Sequence, residues 1–119
     1  MLPAALRLCA SADFAQTIRR GARAGRGTLV VHCLIDPSTE GSRVGFVVAR
    51  SVGGAVVRNR VRRRLRGVVV EHRRTLPDGS AVVVRALPPA GDADYATLER
   101  DLIAALRTAA RRAAERVSS

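Results

Sequence analysis

The sequence contains no lysine and no tryptophan, and its 119 residues include only one tyrosine and two phenylalanines. Because aromatic side chains are so few, the hydrophobic core has to be built from valine, leucine, isoleucine and alanine. No segment approaches the roughly 18–20 consecutive apolar residues that a membrane span requires, so we expect no membrane association. Domains usually contain roughly 100–150 residues, and we therefore expect residues 1–119 to form a single domain.

Residues that support catalysis or metal binding are also scarce. The two cysteines, Cys9 and Cys33, and the two histidines, His32 and His72, do not follow a zinc-binding spacing. The cysteines are expected to be reduced thiols of a cytoplasmic protein, without a predicted role, and the N-terminus does not have the pattern of a secretion signal. No pair of carboxylates is placed to hold metal ions for phosphodiester cleavage, so no catalytic residue and no metal ligand of the protein itself is predicted.

Positive charge is abundant. The chain has 21 basic and 10 acidic residues, a formal net charge of +11 and a sequence pI of about 11.7. All of the basic residues are arginines, whose guanidinium groups bind phosphate through two parallel donors and stack on bases. A nucleic acid is therefore the first partner to consider.

The hydrophobic pattern predicts three helices and three strands. Helices are expected over residues 12–20, with Ser11 as the cap, over 55–74 and over 94–117. Strands are expected over 28–35, 43–50 and 80–87, the first two joined as a β-hairpin across the turn at 36–42. Residues 21–27, rich in glycine and arginine, are expected to form a flexible basic loop. The predicted fold is α+β, a two-layer sandwich in the order helix, β-hairpin, helix, strand, helix, with helices packed on a small central sheet.

The second predicted helix carries six arginines within nine residues, 58–66. On a helical wheel Val57, Val61, Leu65 and Val68 form one apolar side, and the arginines cover most of the remainder. A solvated helix face is one interpretation, but such faces usually mix charges of both signs. A helix lying on an anionic membrane is another, although this apolar side has no large aromatic anchor. Binding to a folded RNA through its phosphates, shape and unpaired bases suits the segment better.

Residues 44–66 resemble the signature of the bacterial ribonuclease P protein family. The similarity rests on Val44-Gly45, the short apolar strand that follows, Gly53, Ala55-Val56 and Arg58-Asn59-Arg60 with its basic continuation. It extends less specifically to Arg7-Leu8, Asp13-Phe14 and Arg85. The resemblance implies a non-catalytic protein subunit of an endoribonuclease that removes the 5′ leader from precursor tRNA. The catalytic RNA subunit would perform the hydrolysis with Mg²⁺ that is bound mainly by RNA and substrate.

The resemblance also implies two binding surfaces. The RNA subunit would be contacted by a basic set on and before the arginine-rich helix: Arg50, Arg58, Asn59, Arg60, Arg62, Arg63 and Arg66. The 5′ leader would run through a cleft between the first helix and the sheet, lined by Phe14, His32, Phe46 and Val48. The alternative that Phe14 and Phe46 belong to the core stays open, because the chain has so few large side chains.

Three functions can be compared at this point. The ribonucleoprotein subunit would bind the catalytic RNA and precursor tRNA, with no requirement for a protein partner or a membrane. A non-catalytic RNA-binding or ribosome-associated protein of similar basic fold has the same composition and differs only in the order of its motifs. A nuclease made of protein alone would need a reactive cluster that the sequence does not contain.

Overall fold

The computed structural model describes residues 2–118. The helices are α1 (Ser11–Arg20), α2 (Ala55–Glu71) and α3 (Tyr95–Ser118), and the strands are β1 (Ala22–Arg26), β2 (Leu29–Ile35), β3 (Ser42–Val47) and β4 (Ser80–Ala86). Short 3₁₀ turns occur at Ala4–Leu6, Arg50–Val52, Arg73–Thr75 and Pro88–Asp92. The α+β class with a small sheet and packed helices is confirmed.

The four strands form one mixed sheet in the order β1-β2-β4-β3. Strand β2 is antiparallel to β1 and to β4, whereas β3 runs parallel to β4 and α2 is part of the connection between them. The predicted hairpin between residues 28–35 and 43–50 is therefore wrong. Strand β4 lies between β2 and β3, the two strands that were predicted to pair. Val82–Val84 are buried on both faces of the sheet, and such a continuous apolar run belongs in a central strand.

Residues 21–27 are not a flexible loop, since five of them form the edge strand β1. Ala22 and Ala24 are buried, while Arg23 and Arg26 are exposed. This strand forms the hairpin of the fold with β2. Its period-two pattern is hard to recognise in the sequence, because its inward residues are small alanines and a glycine interrupts the strand.

Several predicted boundaries also shift. The first helix begins at Ser11 itself, and the preceding Ala10 provides no side-chain cap. The second helix ends at Glu71 and is followed by a 3₁₀ turn, so it does not continue to residue 74. At the start of α3, Oδ1 of Asp94 accepts a hydrogen bond from the Thr97 amide at 2.8 Å, which satisfies one of the free donors of the first turn.

Hydrophobic residues pack on both faces of the sheet. The main core lies between the sheet and helices α2 and α3, and its buried side chains are aliphatic, among them Leu29, Leu65 and Leu98. A smaller cluster on the other face contains Leu8, Ala81 and Val83, with Phe14 and Ile18 of α1 packed against it. Helix α1 thus adds a partial layer that the predicted two-layer arrangement does not contain.

Candidate nucleic-acid interface

Helix α2 has one buried side and one side dominated by arginine. Val61, Leu65, Val68 and Val69 are buried, and they recur at the three- and four-residue spacing expected for a helix packed on a core. The amphipathic pattern predicted for this segment is confirmed. The buried side fixes the rotation of the helix, so that the arginines occupy its remaining circumference.

Two arginines of α2 point back toward the protein. Nη2 of Arg60 donates a hydrogen bond to the Gly91 carbonyl at 2.9 Å, and Nη1 of Arg64 donates one to the Ala93 carbonyl at 2.7 Å. Both acceptors lie in the connection between β4 and α3. These two guanidinium groups therefore hold that connection against α2, which is a structural role in addition to any contact with RNA.

Most of the other arginines predicted to contact RNA are more accessible to a ligand. Arg63 and Arg66 are exposed on α2, and Arg50 is exposed in the 3₁₀ turn that precedes it. Arg58 is half-buried, and its Nε has no hydrogen-bond partner among the described residues. In residues 2–118 no arginine of α2 forms an ion pair with a carboxylate. The guanidinium groups on this surface are thus not paired with carboxylates in the described part of the chain.

Arg62 links α2 to the end of β3. Its Nη2 donates to the Val48 carbonyl at 3.4 Å, and its Nη1 donates to Oδ1 of Asn59 at 3.3 Å. The exposed Asn59 is thereby oriented on the arginine surface. Arg62, Arg63 and Arg66 also border a depression of about 900 Å³ along the outside of the helix. We call this surface of α2 the arginine face.

A second depression, of about 380 Å³, lies where the arginine face meets strand β3 and helix α1. Aromatic and positively charged side chains both line it, including Arg7, Phe14, Phe46, Arg62 and Arg66. The N-terminal segment forms part of its wall, since the Leu8 amide donates to the Val44 carbonyl at 3.0 Å. We call this depression the β3-edge cavity. Its combination of aromatic rings and guanidinium groups suits a nucleotide, whose base can stack while its phosphate is bound.

The two phenylalanines approach the β3-edge cavity from opposite faces of the sheet. Phe14 packs over Gly45, where any β-carbon would overlap the phenyl ring, and belongs to the cluster beneath α1. Phe46 packs against the main core. Both rings are half-buried, so each contributes to a hydrophobic cluster and also presents part of its surface to the cavity.

The other two residues predicted for the leader cleft lie elsewhere. Val48 is 4 % exposed within the main core, on the face away from α1, and its carbonyl is engaged by Arg62. His32 is 3 % exposed on β2, opposite Val83 in the sheet register. The structure therefore brings Phe14 and Phe46 to one cavity, but it does not bring His32 and Val48 to that cavity.

His32 is paired with Arg85, whose Nε donates to Nε2 of the imidazole at 2.9 Å. Burial lowers the pKa of His32, and the guanidinium groups of Arg85 and Arg23 lower it further. The ring is therefore neutral near pH 7 and carries its proton on Nδ1, which is buried without a hydrogen-bond partner in the described part of the chain. This arrangement keeps Arg85 positioned on the sheet face that α1 partly covers.

Sequence patterns did not assign Arg7 or Cys9 to a site, although both line the β3-edge cavity. The isolated bridge between Arg7 and Val44 brings this segment to the sheet. Arg7 and Leu8 belong to the family resemblance, which was the one signal available for them. Their approach to β3 depends on tertiary structure and leaves no local periodicity.

These features define a basic α+β protein with an arginine-rich helix on its surface. The family model described as Ribonuclease P matches residues 2–110. The ribonuclease P protein component of Streptomyces bikiniensis is 56 % identical over 115 residues, which cover 90 % of this chain and 94 % of the relative. That of a Nocardioides species is 57 % identical over 104 residues, covering 86 % and 89 %. The chain belongs to the ribonuclease P protein family.

Solved structures agree with this assignment. The Staphylococcus aureus ribonuclease P protein superposes with a TM-score of 0.79 at 25 % identity and covers 87 % of this chain and 94 % of its own. The Thermotoga maritima protein gives 0.76 at 25 % identity, with coverage of 86 % and 96 %. The chain is accordingly the non-catalytic protein subunit of the endoribonuclease ribonuclease P, which acts in tRNA processing, and its partner is RNA. No helix among residues 2–118 is both long and apolar enough to span a membrane.

Proposed function

We propose that the arginine face binds the phosphates of the catalytic RNA subunit and that the β3-edge cavity receives the 5′ leader of precursor tRNA. The observation that carries the proposal is their continuity, because Arg62 and Arg66 border both surfaces. A single RNA assembly could thus be held by α2 while an unpaired strand enters the adjacent cavity. Precursor tRNA is made in the bacterial cytoplasm, where we propose that the protein acts.

The arginine face supports the first part of this proposal through its unneutralised charge. Arg63 and Arg66 project from a helix whose opposite side is locked into the core. The helix backbone that carries them is therefore fixed before RNA binds, and each guanidinium group can form two parallel hydrogen bonds to phosphate. Arg58 and Arg50 extend the same positive surface toward the start of α2.

The leader assignment rests on the aromatic rings of the β3-edge cavity. Stacking of an unpaired base on an aromatic side chain contributes about 1–3 kcal/mol per base and depends little on base identity. Phe14 and Phe46 offer such surfaces, while Arg7 can neutralise the adjoining phosphate. We propose a supporting role for His32 and Val48, because His32 orients Arg85 and the Val48 carbonyl orients Arg62.

Mg²⁺ is the metal implied for the reaction, and the donor atoms of the arginine face do not fit it. Mg²⁺ prefers oxygen ligands such as carboxylates and phosphates, whereas this face presents mainly guanidinium groups, with Glu71 as the one carboxylate lining its depression. Among residues 2–118 the acidic and histidine side chains that could share an ion are Glu71 and His72 at the end of α2 and Glu99 in α3. We therefore propose that the catalytic Mg²⁺ is held by RNA and substrate, and that the protein assists by binding and positioning them.

The test is cleavage of a precursor tRNA by a bacterial ribonuclease P RNA at low Mg²⁺, with and without this protein. We expect cleavage at the mature 5′ end that requires both components, and no cleavage by the protein alone. A precursor whose leader is shortened to one nucleotide should gain less from the protein than one with a full leader. Tight RNA binding without any stimulation would overturn the proposal in favour of a general RNA-binding role.

A further inference from the structure

A group of side chains next to the arginine face joins the end of α2 to the beginning of α3, and one of its members, Glu71, also lines the depression along that face. Glu71 is the last residue of α2, His72 follows it directly, and Glu99 lies in the second turn of α3. Nε2 of His72 is 2.8 Å from Oε2 of Glu99, and one ligand atom from each of the three residues lies within 4.8 Å of the others. Two carboxylates and an imidazole thus converge from two helices.

The neighbouring tyrosine restrains this group. The hydroxyl of Tyr95 donates a hydrogen bond to Oε2 of Glu71 at 2.9 Å. The ring of Tyr95 lies against Gly67, whose position would place a β-carbon 3.4 Å from Cε2. The exposed Glu71 carboxylate is therefore held toward His72 and Glu99 by a side chain that is itself packed between α2 and α3. A hydrogen bond to a carboxylate from outside the ligand group is a typical feature of metal sites.

The charges around the group are unusual for this protein. Although arginines outnumber acids by about two to one in the chain, neither Glu71 nor Glu99 forms an ion pair with an arginine in the described residues. The two carboxylates face a histidine and a tyrosine instead. Glu71 also lies at the C-terminal end of α2, where the dipole of that helix favours a cation.

We propose that Glu71, His72 and Glu99 form a binding site for a divalent transition metal of the Zn²⁺ type. Zn²⁺ is commonly bound by imidazole nitrogen and by carboxylate oxygen together. Three protein ligands of these two kinds are enough to hold the ion, with water in the remaining position. Mg²⁺ is disfavoured, because it prefers oxygen ligands in octahedral geometry. A bound ion would join the end of the RNA-binding helix to α3. This site is separate from the Mg²⁺ chemistry of the RNA and goes beyond the proposed function.

The experiment uses the full chain without an affinity tag and without RNA. It carries Cys9→Ser, because the exposed thiol of Cys9 is itself a zinc ligand. Zn²⁺ alone is titrated by calorimetry into this protein and into versions with His72→Gln, Glu99→Gln or Tyr95→Phe. Glu115→Gln is the matched control, since it removes the same charge from an exposed position further along α3.

We expect one saturable Zn²⁺ per chain in the parent and in the Glu115→Gln control. His72→Gln and Glu99→Gln should weaken binding by at least about 10-fold, and Tyr95→Phe by about 10-fold, as for other outer partners of metal ligands. Zn²⁺ should raise the unfolding temperature of the parent more than that of His72→Gln, because only an ion bound to the folded state stabilises it. Unfolding curves in a chelator establish that each variant is folded.

The proposal is overturned if the parent shows no saturable Zn²⁺ binding, or if the three variants bind Zn²⁺ as tightly as the control. It is also overturned if an equal concentration of Mg²⁺ displaces the bound Zn²⁺. None of these outcomes depends on RNA, so a failure of the metal site would be distinct from a failure of the ribonuclease P function.

Discussion

The carboxylate of Asp101 accepts two hydrogen bonds from Thr28, one from the backbone amide at 3.2 Å and one from the hydroxyl at 2.7 Å. Both residues are buried, Asp101 in α3 and Thr28 in the turn between β1 and β2. This pair therefore fixes the long helix α3 to the hairpin at the edge of the sheet. Asp101 also carries the one buried carboxylate in the described chain, and its role is structural.

Replacement of Asp101 by Asn should destabilise the fold. Hydrogen bonds to a charged group contribute about 1.5–3 kcal/mol, and the amide can replace only part of that interaction. We expect the free energy of unfolding in urea at pH 7 to fall by about that amount. Asp92→Asn, at an exposed position, should leave it nearly unchanged. Equal effects of the two substitutions would contradict the structural role of Asp101.

The same pair predicts that the free energy of unfolding depends on pH in the acidic range. Burial alone would raise the pKa of Asp101, but the hydrogen bonds from Thr28 and the neighbouring Arg100 outweigh it and hold the pKa below its ordinary value of 3.8. The ionised carboxylate therefore stabilises the fold above pH 3.8, and this contribution is lost as the pH falls through the lower folded-state pKa. The difference in unfolding free energy between the parent and Asp101→Asn should narrow in that acidic range.

Much of the fold could be predicted from local patterns, and the pairing of strands could not. The burial of Val61, Leu65 and Val68 follows from helical spacing, which is a property of consecutive residues. The position of β4 between β2 and β3 depends instead on which strand buries both faces, and the turn at 36–42 was equally compatible with a hairpin. Strand β1 was missed because its inward residues, Ala22 and Ala24, are too small to produce a strong alternation.

In the candidate site, too, some features were predictable from local sequence and others depended on tertiary structure. The arginine-rich helix was predictable, because charge density along one segment is visible in the sequence. The inward direction of Arg60 and Arg64 was not, since it depends on carbonyl groups about 30 residues further along the chain. The cluster of Glu71, His72 and Glu99 likewise has no recognisable spacing, because Glu99 is contributed by another helix.

The distinction between outward and inward arginines leads to a prediction about RNA binding. Arg63→Ala should weaken binding to the catalytic RNA and reduce the slope of log affinity against log salt by about 1, because one phosphate contact is lost. The unfolding free energy should change by less than about 0.5 kcal/mol, as for most surface substitutions. Filter binding over a series of salt concentrations measures the slope.

Arg60→Ala provides the comparison for Arg63→Ala. Loss of its hydrogen bond to the Gly91 carbonyl should lower the unfolding free energy by about 1.5–3 kcal/mol. Arg60→Lys keeps the charge but not the planar guanidinium, and should lose part of the same stability. If Arg60→Ala altered only RNA affinity, with stability unchanged, the inward role of this side chain would be wrong.

The contact between Gly45 and Phe14 predicts that a single methyl group will disturb the β3-edge cavity. Gly45→Ala would force the phenyl ring away from the strand, and overpacking of this kind costs about 1–3 kcal/mol. We also expect a smaller preference for precursor tRNA over mature tRNA, because the displaced ring no longer stacks on the leader. Gly25→Ala is the control, since a β-carbon there would make ordinary contacts, the nearest at 3.7 Å. An unchanged preference in Gly45→Ala would argue against a leader in this cavity.

The pair formed by His32 and Arg85 predicts a histidine that resists protonation. Burial is the main cause of its lowered pKa, and the positive charges of Arg85 and Arg23 add to it. In the unfolded chain the ring titrates near its ordinary pKa of 6.5, so between the folded-state pKa and 6.5 the unfolded state binds more protons. The neutral ring thus supports the fold fully above pH 6.5, and stability declines as the pH falls below that value.

Nuclear magnetic resonance titration of the imidazole should place the His32 midpoint below 6.5, and Arg85→Gln should move the midpoint upward by removing one of the positive charges that lower the pKa. A midpoint at or above 6.5 in the parent protein would contradict a buried neutral ring that accepts the hydrogen bond from Arg85.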